Sequence, residues 1–142
     1  MKPSLVVGLT HQHSFCVTEQ KMVPALYPEA DAFQAMPAVF ATGFMVGFLE
    51  WACIEAIRPH LDWPLEQSLG TAIEVSHEAA TPVGFTVTAT VTVTEIDGRR
   101  LRFAVEAHDG VEVIARGTHE RFVIDKARFD QRIEKKRAIL AT

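Results

Sequence analysis

The chain has 142 residues, 48% of them hydrophobic and 23% charged, with a formal net charge of -4. That length buries one full core without disulfides or metal, and the composition lies far from disordered or fibrous chains. The acidic balance gives no basic face for nucleic acid, and Cys16 and Cys53 show no CxxC or Cys/His ligand spacing, so a reducing, cytoplasmic setting is expected. The apolar run near Met1 is too short for a secretory signal. The uncharged stretch between Asp31 and Glu50 is broken by Gln34, Pro37 and Thr42 and followed by Glu50 and Glu55, which argues against a membrane span.

No repeat or linker divides the sequence, so a single domain over residues 1–142 is expected. The first part is irregular, with a strand candidate at Ser14 to Thr18 and then a long loop, about 19–38, carrying Pro24, Pro28 and Pro37. From Val39 to His60 apolar residues crowd without strict alternation until Pro59, which predicts a mostly buried helix. Thr71 to His77 reads as a strand ended by Thr81-Pro82. Phe85, Val87, Ala89, Val91 and Val93 then alternate with threonines, a period of two that calls for a half-buried strand. Asp97-Gly98 turns it into Leu101, Phe103, Val105 and Ala107, and Asp109-Gly110 turns again into a strand from about Val111 to Ile124. Residues 126–139 mix Phe129, Ile133 and Ala138 with many charges, the pattern of a peripheral surface helix.

One long helix followed by four antiparallel strands with single apolar faces is satisfied by a sheet curled around the helix. This is an α+β arrangement that resembles the hotdog fold. Such a sheet leaves an edge strand, which pairing of two copies into a homodimer would cover.

A mostly buried helix tolerates an unpaired carboxylate poorly, so Glu50 either serves chemistry or reaches solvent or a backbone donor. Thr42, Val46 and Glu50 share one i, i+4 row. His77 is expected on the strand face of Thr71, Ile73 and Val75, as a core histidine or as an acid/base group suited to neutral pH. Gly70 before that strand is a turn glycine, or a position where a backbone N–H approaches a ligand. His11 and His13 form an HxH pair without a third ligand, read as a solvated loop, so no metal is expected. His108 and His119 are read as strand residues facing solvent. No GxSxG, P-loop or GxGxxG occurs, which removes serine-hydrolase and dinucleotide readings.

The segments Val39-Phe40-Ala41-Thr42-Gly43-Phe44-Met45-Val46-Gly47, Glu50-Trp51-Ala52-Cys53, Leu69-Gly70-Thr71-Ala72-Ile73 and Gly117-Thr118-His119-Glu120-Arg121, with His77 between them, closely resemble the fluoroacetyl-CoA thioesterase family. The resemblance runs from about Val7 to the last strand and fades in the C-terminal helix. It implies a dimeric hotdog thioesterase with catalytic Thr42, Glu50 and His77 and substrate-positioning Gly70 and Arg121, acting on a short-chain, fluoroacetyl-like acyl-CoA with no cofactor beyond the coenzyme A of the substrate. It also implies that the loop before the helix is a lid closing with two phenylalanines; the first falls on Phe33, and the second position holds Met36. The alternatives are a non-catalytic acyl-CoA binding module and an enoyl-CoA hydratase, although the Asp-x-x-x-x-His spacing associated with the latter is absent.

Overall fold

In the computed structural model, which describes residues 1–141, the period-two stretches join into one antiparallel sheet of five strands in the order β1-β3-β4-β5-β2. The strands are β1 (Thr10–Cys16), β2 (Glu66–Val75), β3 (Thr86–Asp97), β4 (Arg100–His108) and β5 (Val113–Asp125). Alternation does what it predicts in the centre. Val87, Ala89, Val91 and Val93 of β3 and Leu101, Phe103, Val105 and Ala107 of β4 are buried on the concave face. The intervening threonines face outward, where Thr92, Thr90 and Thr88 hydrogen-bond Thr10, Gln12 and Ser14 of β1 at 3.1, 3.2 and 2.8 Å. Gly98 and Gly110 take φ of 59° and 89° at the two expected turns, a conformation that glycine adopts without steric cost.

The first strand runs Thr10–Cys16 and not Ser14 to Thr18, and it joins the four later strands in the one sheet. Its pleat carries His11 and His13 inward, so the HxH pair is not a solvated loop. The His13 ring meets the edge of Trp51 with centroids 4.0 Å apart, and burial lowers its pKa, opposed by Glu55.

The central helix α3 (Thr42–Ile57) begins three residues after the expected start. Residues 39–41 are held extended instead, by a bridge between Met22 and Phe40 and by the Phe40 N–H donating to the Thr81 carbonyl at 2.8 Å. Pro59 ends the helix in a 3-10 turn, Arg58–His60. The helix lies over β1, β3 and β4 and buries Met45, Phe48, Leu49, Ala52, Cys53, Ala56 and Ile57. Its opposite side, with Thr42, Gly43, Gly47 and Trp51, stays exposed, and much of β2 is exposed as well. The helix is therefore buried on one side only, and β1 and β2 are the two free edges of the sheet.

The loop expected over 19–38 holds two single helical turns, α1 (Val23–Leu26) and α2 (Asp31–Gln34). It seats on the start of α3 through Leu26, whose Cδ1 would lie 3.0 Å from a Cβ built on Gly43. At the other end of the chain, α4 (Lys126–Arg137) is capped by Asp125, which accepts the Arg128 N–H at 3.0 Å, and runs into a 3-10 turn, Ala138–Ala141. Among the described residues no helix is long and apolar enough to cross a membrane.

Candidate active site

Thr42 opens α3 and Glu50 lies eight residues on, so at the helical rise their backbones are about 12 Å apart on one side of the helix. The candidate residues accordingly form two clusters within the chain.

The first surrounds Glu50. Its carboxylate reaches solvent, one of the readings left open by the sequence, with the side chain 39% exposed, and its partner is the buried one: the Arg121 side chain is 3% exposed. Arg121 projects inward from β5 and uses every edge of its guanidinium. Nη1 donates to Glu50 Oε1 at 3.2 Å and to His119 Nε2 at 3.0 Å, Nε donates to Ser68 Oγ at 2.8 Å, and Nη2 donates to the Ser68 carbonyl at 2.8 Å. An arginine only donates, so His119 Nε2 accepts and the ring proton resides on Nδ1, which donates to the Ala72 carbonyl at 2.8 Å. His119 is thus a neutral imidazole, in keeping with burial that lowers its pKa with help from Arg121 and against the Ala72 carbonyl.

Gly70 of β2 faces this cluster. A Cβ there would stand 2.5 Å from Glu50 Oε1, 3.2 Å from His119 Cε1 and 3.4 Å from Arg121 Nη1. Any side chain would displace the carboxylate, so the glycine lets bare backbone lie against Glu50. Cys53, one turn along α3, is no rival nucleophile, because burial pushes its thiol up to about 12 and keeps it protonated near neutral pH.

The second cluster is the pair Thr42 and His77, joined by a hydrogen bond of 2.7 Å between Oγ1 and Nδ1. His77 does not sit on the strand as expected. It falls two residues past the end of β2, and its Nε2 is buried without a hydrogen-bond partner among the described residues. Burial lowers its pKa, opposed by the Ala79 backbone, which leaves a neutral imidazole available near neutral pH. The segment carrying it is tied down four residues later. Thr81 donates to Asp109 Oδ2 at 2.9 Å, and its carbonyl accepts the Phe40 N–H at the entry to α3, so one residue fixes both ends of the Thr42–His77 pair.

On the loop before α3, Phe33 stacks on Tyr27 with ring centroids 5.8 Å apart, and Met36 is 52% exposed. Among the described residues no group of three or more His, Cys, Asp or Glu side chains is placed to hold a metal. Sequence reasoning missed His119 and Ser68. The signal for His119 was present: it shares the inward period of β5 with Arg121 and Val123, all three buried.

The curled sheet and its helix are those of the hotdog thioesterases. A thioesterase-superfamily member from Thermus thermophilus matches with a TM-score of 0.86 at 23% identity over 99% of this chain and 98% of its own, a likeness of fold. Residues 17–127 match the model of the fluoroacetyl-CoA-specific thioesterase family, FlK. The fluoroacetyl-CoA thioesterase of Streptantibioticus cattleyicolor is 52% identical over 136 residues, covering 96% of this chain and 97% of that protein. A solved structure of FlK is 51% identical with a TM-score of 0.91, covering 94% of this chain and 98% of that one. The chain belongs to the fluoroacetyl-CoA-specific thioesterase family and is a thioester hydrolase.

Proposed function

We propose that this chain is a one-domain, cytoplasmic acyl-CoA thioesterase that cleaves a short-chain, fluoroacetyl-like acyl-CoA to free acid and CoA, as a homodimer and without a metal or other cofactor. The observation that carries the reading is Glu50: a solvent-reaching carboxylate held by buried Arg121 against the bare backbone of Gly70. Glu50 supplies the attacking oxygen, its own or that of a water it deprotonates. The thioester carbonyl lies toward Gly70 as its oxygen gains charge, the C–S bond breaks, and the proton given up by the water consumed passes to the departing sulfur through the neutral His77 imidazole, which Thr42 orients and which takes it up before handing it on. The acyl carbon ends bonded to an oxygen from water, which balances the reaction.

The spacing of the two clusters supports the dimer. The backbones of Thr42 and Glu50 are about 12 Å apart along α3, a spacing that favours a site completed by a second copy. Two copies related by a two-fold axis along the free edge of β2 would cover the exposed side of α3 and bring the Thr42–His77 pair of one subunit to the Glu50 cluster of the other. Release of CoA from short acyl-CoAs, followed with a thiol reagent, tests the reading. Turnover is expected, nearly abolished in Glu50→Gln with the fold unchanged. Acyl-CoA binding without turnover would make the chain a binding module, and consumption of an enoyl-CoA without thiol release would make it a hydratase.

A further inference from the structure

The arginines fall into two groups. Arg58, Arg100, Arg102, Arg116, Arg121 and Arg137 each pair with a carboxylate. Arg99, Arg128 and Arg132 take part in no salt bridge among the described residues, and these three line one open cleft of about 260 Å³ together with Phe122 and Phe129. Three guanidinium groups without a carboxylate partner brought to one place make a locally positive patch that favours an anion. Asp125 is the carboxylate in the lining, and its Oδ1 already accepts the Arg128 N–H. Glu66 also feels Arg99, but its carboxyl is first engaged by the N-terminal amine.

The cleft is assembled from three elements. Arg99 sits in the turn after β3, and its carbonyl accepts the Val123 N–H at 2.8 Å. Phe122, 43% exposed, is the outward residue next to Arg121 on β5, and its register partner Leu69 precedes Gly70 on β2. Arg128 and Arg132 are one turn apart on α4, with Phe129 half-buried between them. The cleft and the Glu50 cluster therefore occupy opposite faces of the same stretch of two strands. Arg128, Phe129 and Arg132 lie beyond the region that the family model matches, residues 17–127.

We propose that this cleft binds the 3′-phosphorylated ADP end of coenzyme A, an assignment that rests on the thioesterase reading above. Guanidinium forks match phosphate oxygens in pairs, which three free arginines supply for a ligand carrying phosphates at two places. Phe122 and Phe129 offer aromatic faces for the adenine. The flexible pantetheine arm rounds the sheet from the cleft to the carboxylate, so nucleotide and thioester are held at two ends of one long ligand.

The test compares wild type, Arg128→Ala/Arg132→Ala and Phe122→Ala with an acyl-CoA, its 3′-dephospho analogue and the acyl-pantetheine, and titrates each protein with adenosine 3′,5′-bisphosphate by calorimetry. The arginine variant should raise KM for the acyl-CoA by about tenfold or more with kcat within about twofold. Its kcat/KM on acyl-pantetheine should match wild type, its preference for acyl-CoA over the dephospho analogue should shrink, and the bisphosphate should cease to bind. Phe122→Ala should weaken both nucleotide-bearing substrates and leave acyl-pantetheine alone. An unchanged KM for acyl-CoA, or equal loss on acyl-pantetheine, overturns the proposal. If wild type cleaves none of the three thioesters, the functional reading has failed, and the titration decides the cleft by itself: bisphosphate binding lost in the arginine variant upholds it, and no binding or equal binding sinks it.

Discussion

Glu50 is met within its own chain by Arg121, by the backbone of Gly70 and, through Arg121, by His119 and Ser68, whereas the Thr42–His77 pair rests on one hydrogen bond with the outer ring nitrogen unmet. The first arrangement is costly to desolvate, and it persists because each guanidinium edge finds an acceptor. Such a network preorganises a carboxylate before substrate arrives. The second arrangement is only as rigid as the strut beneath it, Thr81 on Asp109. The Glu50 cluster is thus satisfied within a single chain, and the Thr42–His77 pair keeps a ring nitrogen without a partner among the described residues.

The largest effect expected from this contrast is on turnover. Glu50→Gln should lose activity by about 10²–10⁴-fold, the scale of a missing acid or base, and His77→Ala should behave alike. Mixed after joint refolding, the two inactive variants should regain up to roughly a quarter of wild-type activity, since half of a statistical dimer population is mixed and each mixed dimer holds one intact composite site. No recovery in a population shown by mass to contain mixed dimers would place all three groups in one subunit.

The strut comes next. Thr81→Val removes a buried donor to a carboxylate and should cost about 1.5–3 kcal/mol of stability in denaturant unfolding. The Asp109 carboxyl is pulled up by burial but held below its ordinary value of 3.8 by N–H groups of Glu112 and Val111 and by the Thr81 hydroxyl. Its contribution is therefore present above the unfolded value and lost as pH falls through the lower folded one. In Thr81→Val that folded value rises, so acid unfolding should begin at a higher pH than in wild type. An unmoved acid midpoint would show that Asp109 does not depend on Thr81.

For the loop before α3, the expected effect is a change of preference. A phenylalanine is a rigid plate, and methionine is a pliable filler. Met36→Phe should shift relative kcat/KM toward the smallest acyl groups by about 1–3 kcal/mol, read across fluoroacetyl-, acetyl- and longer acyl-CoAs. A shift below twofold would make Met36 a neutral replacement.

The smallest effect probes the buried network. The pKa values of His13, His77 and His119 are all lowered in the fold, so the unfolded chain binds more protons and stability falls as pH drops below about 6.5. His119→Phe keeps a ring of similar size but removes one titrating group and the acceptor for Arg121. The fall of Tm between neutral pH and about 5 should become shallower, while kcat drops through a loosened Arg121. A pH slope equal to that of wild type would show that His119 does not titrate with folding.

Strand and helix order, the turns at Gly98 and Gly110 and the inward faces of β3 and β4 were written in local periods, because alternation and positive φ are properties of neighbouring residues. The sequence singled out Thr42, Glu50, His77, Gly70 and Arg121 as candidates, through a contiguous helix motif and its resemblance. What the chain could not say locally was who meets whom. Glu50 reads as a carboxylate with no assigned partner until β5 is seen to deliver Arg121 across 71 positions. His77 reads as a strand residue until the loop to Thr81 takes it to Thr42, and His119 reads as a surface histidine until the curl of the sheet turns it inward against the same guanidinium. Those pairings join residues far apart in sequence, and only the closure of the sheet around the helix brings them within hydrogen-bond reach.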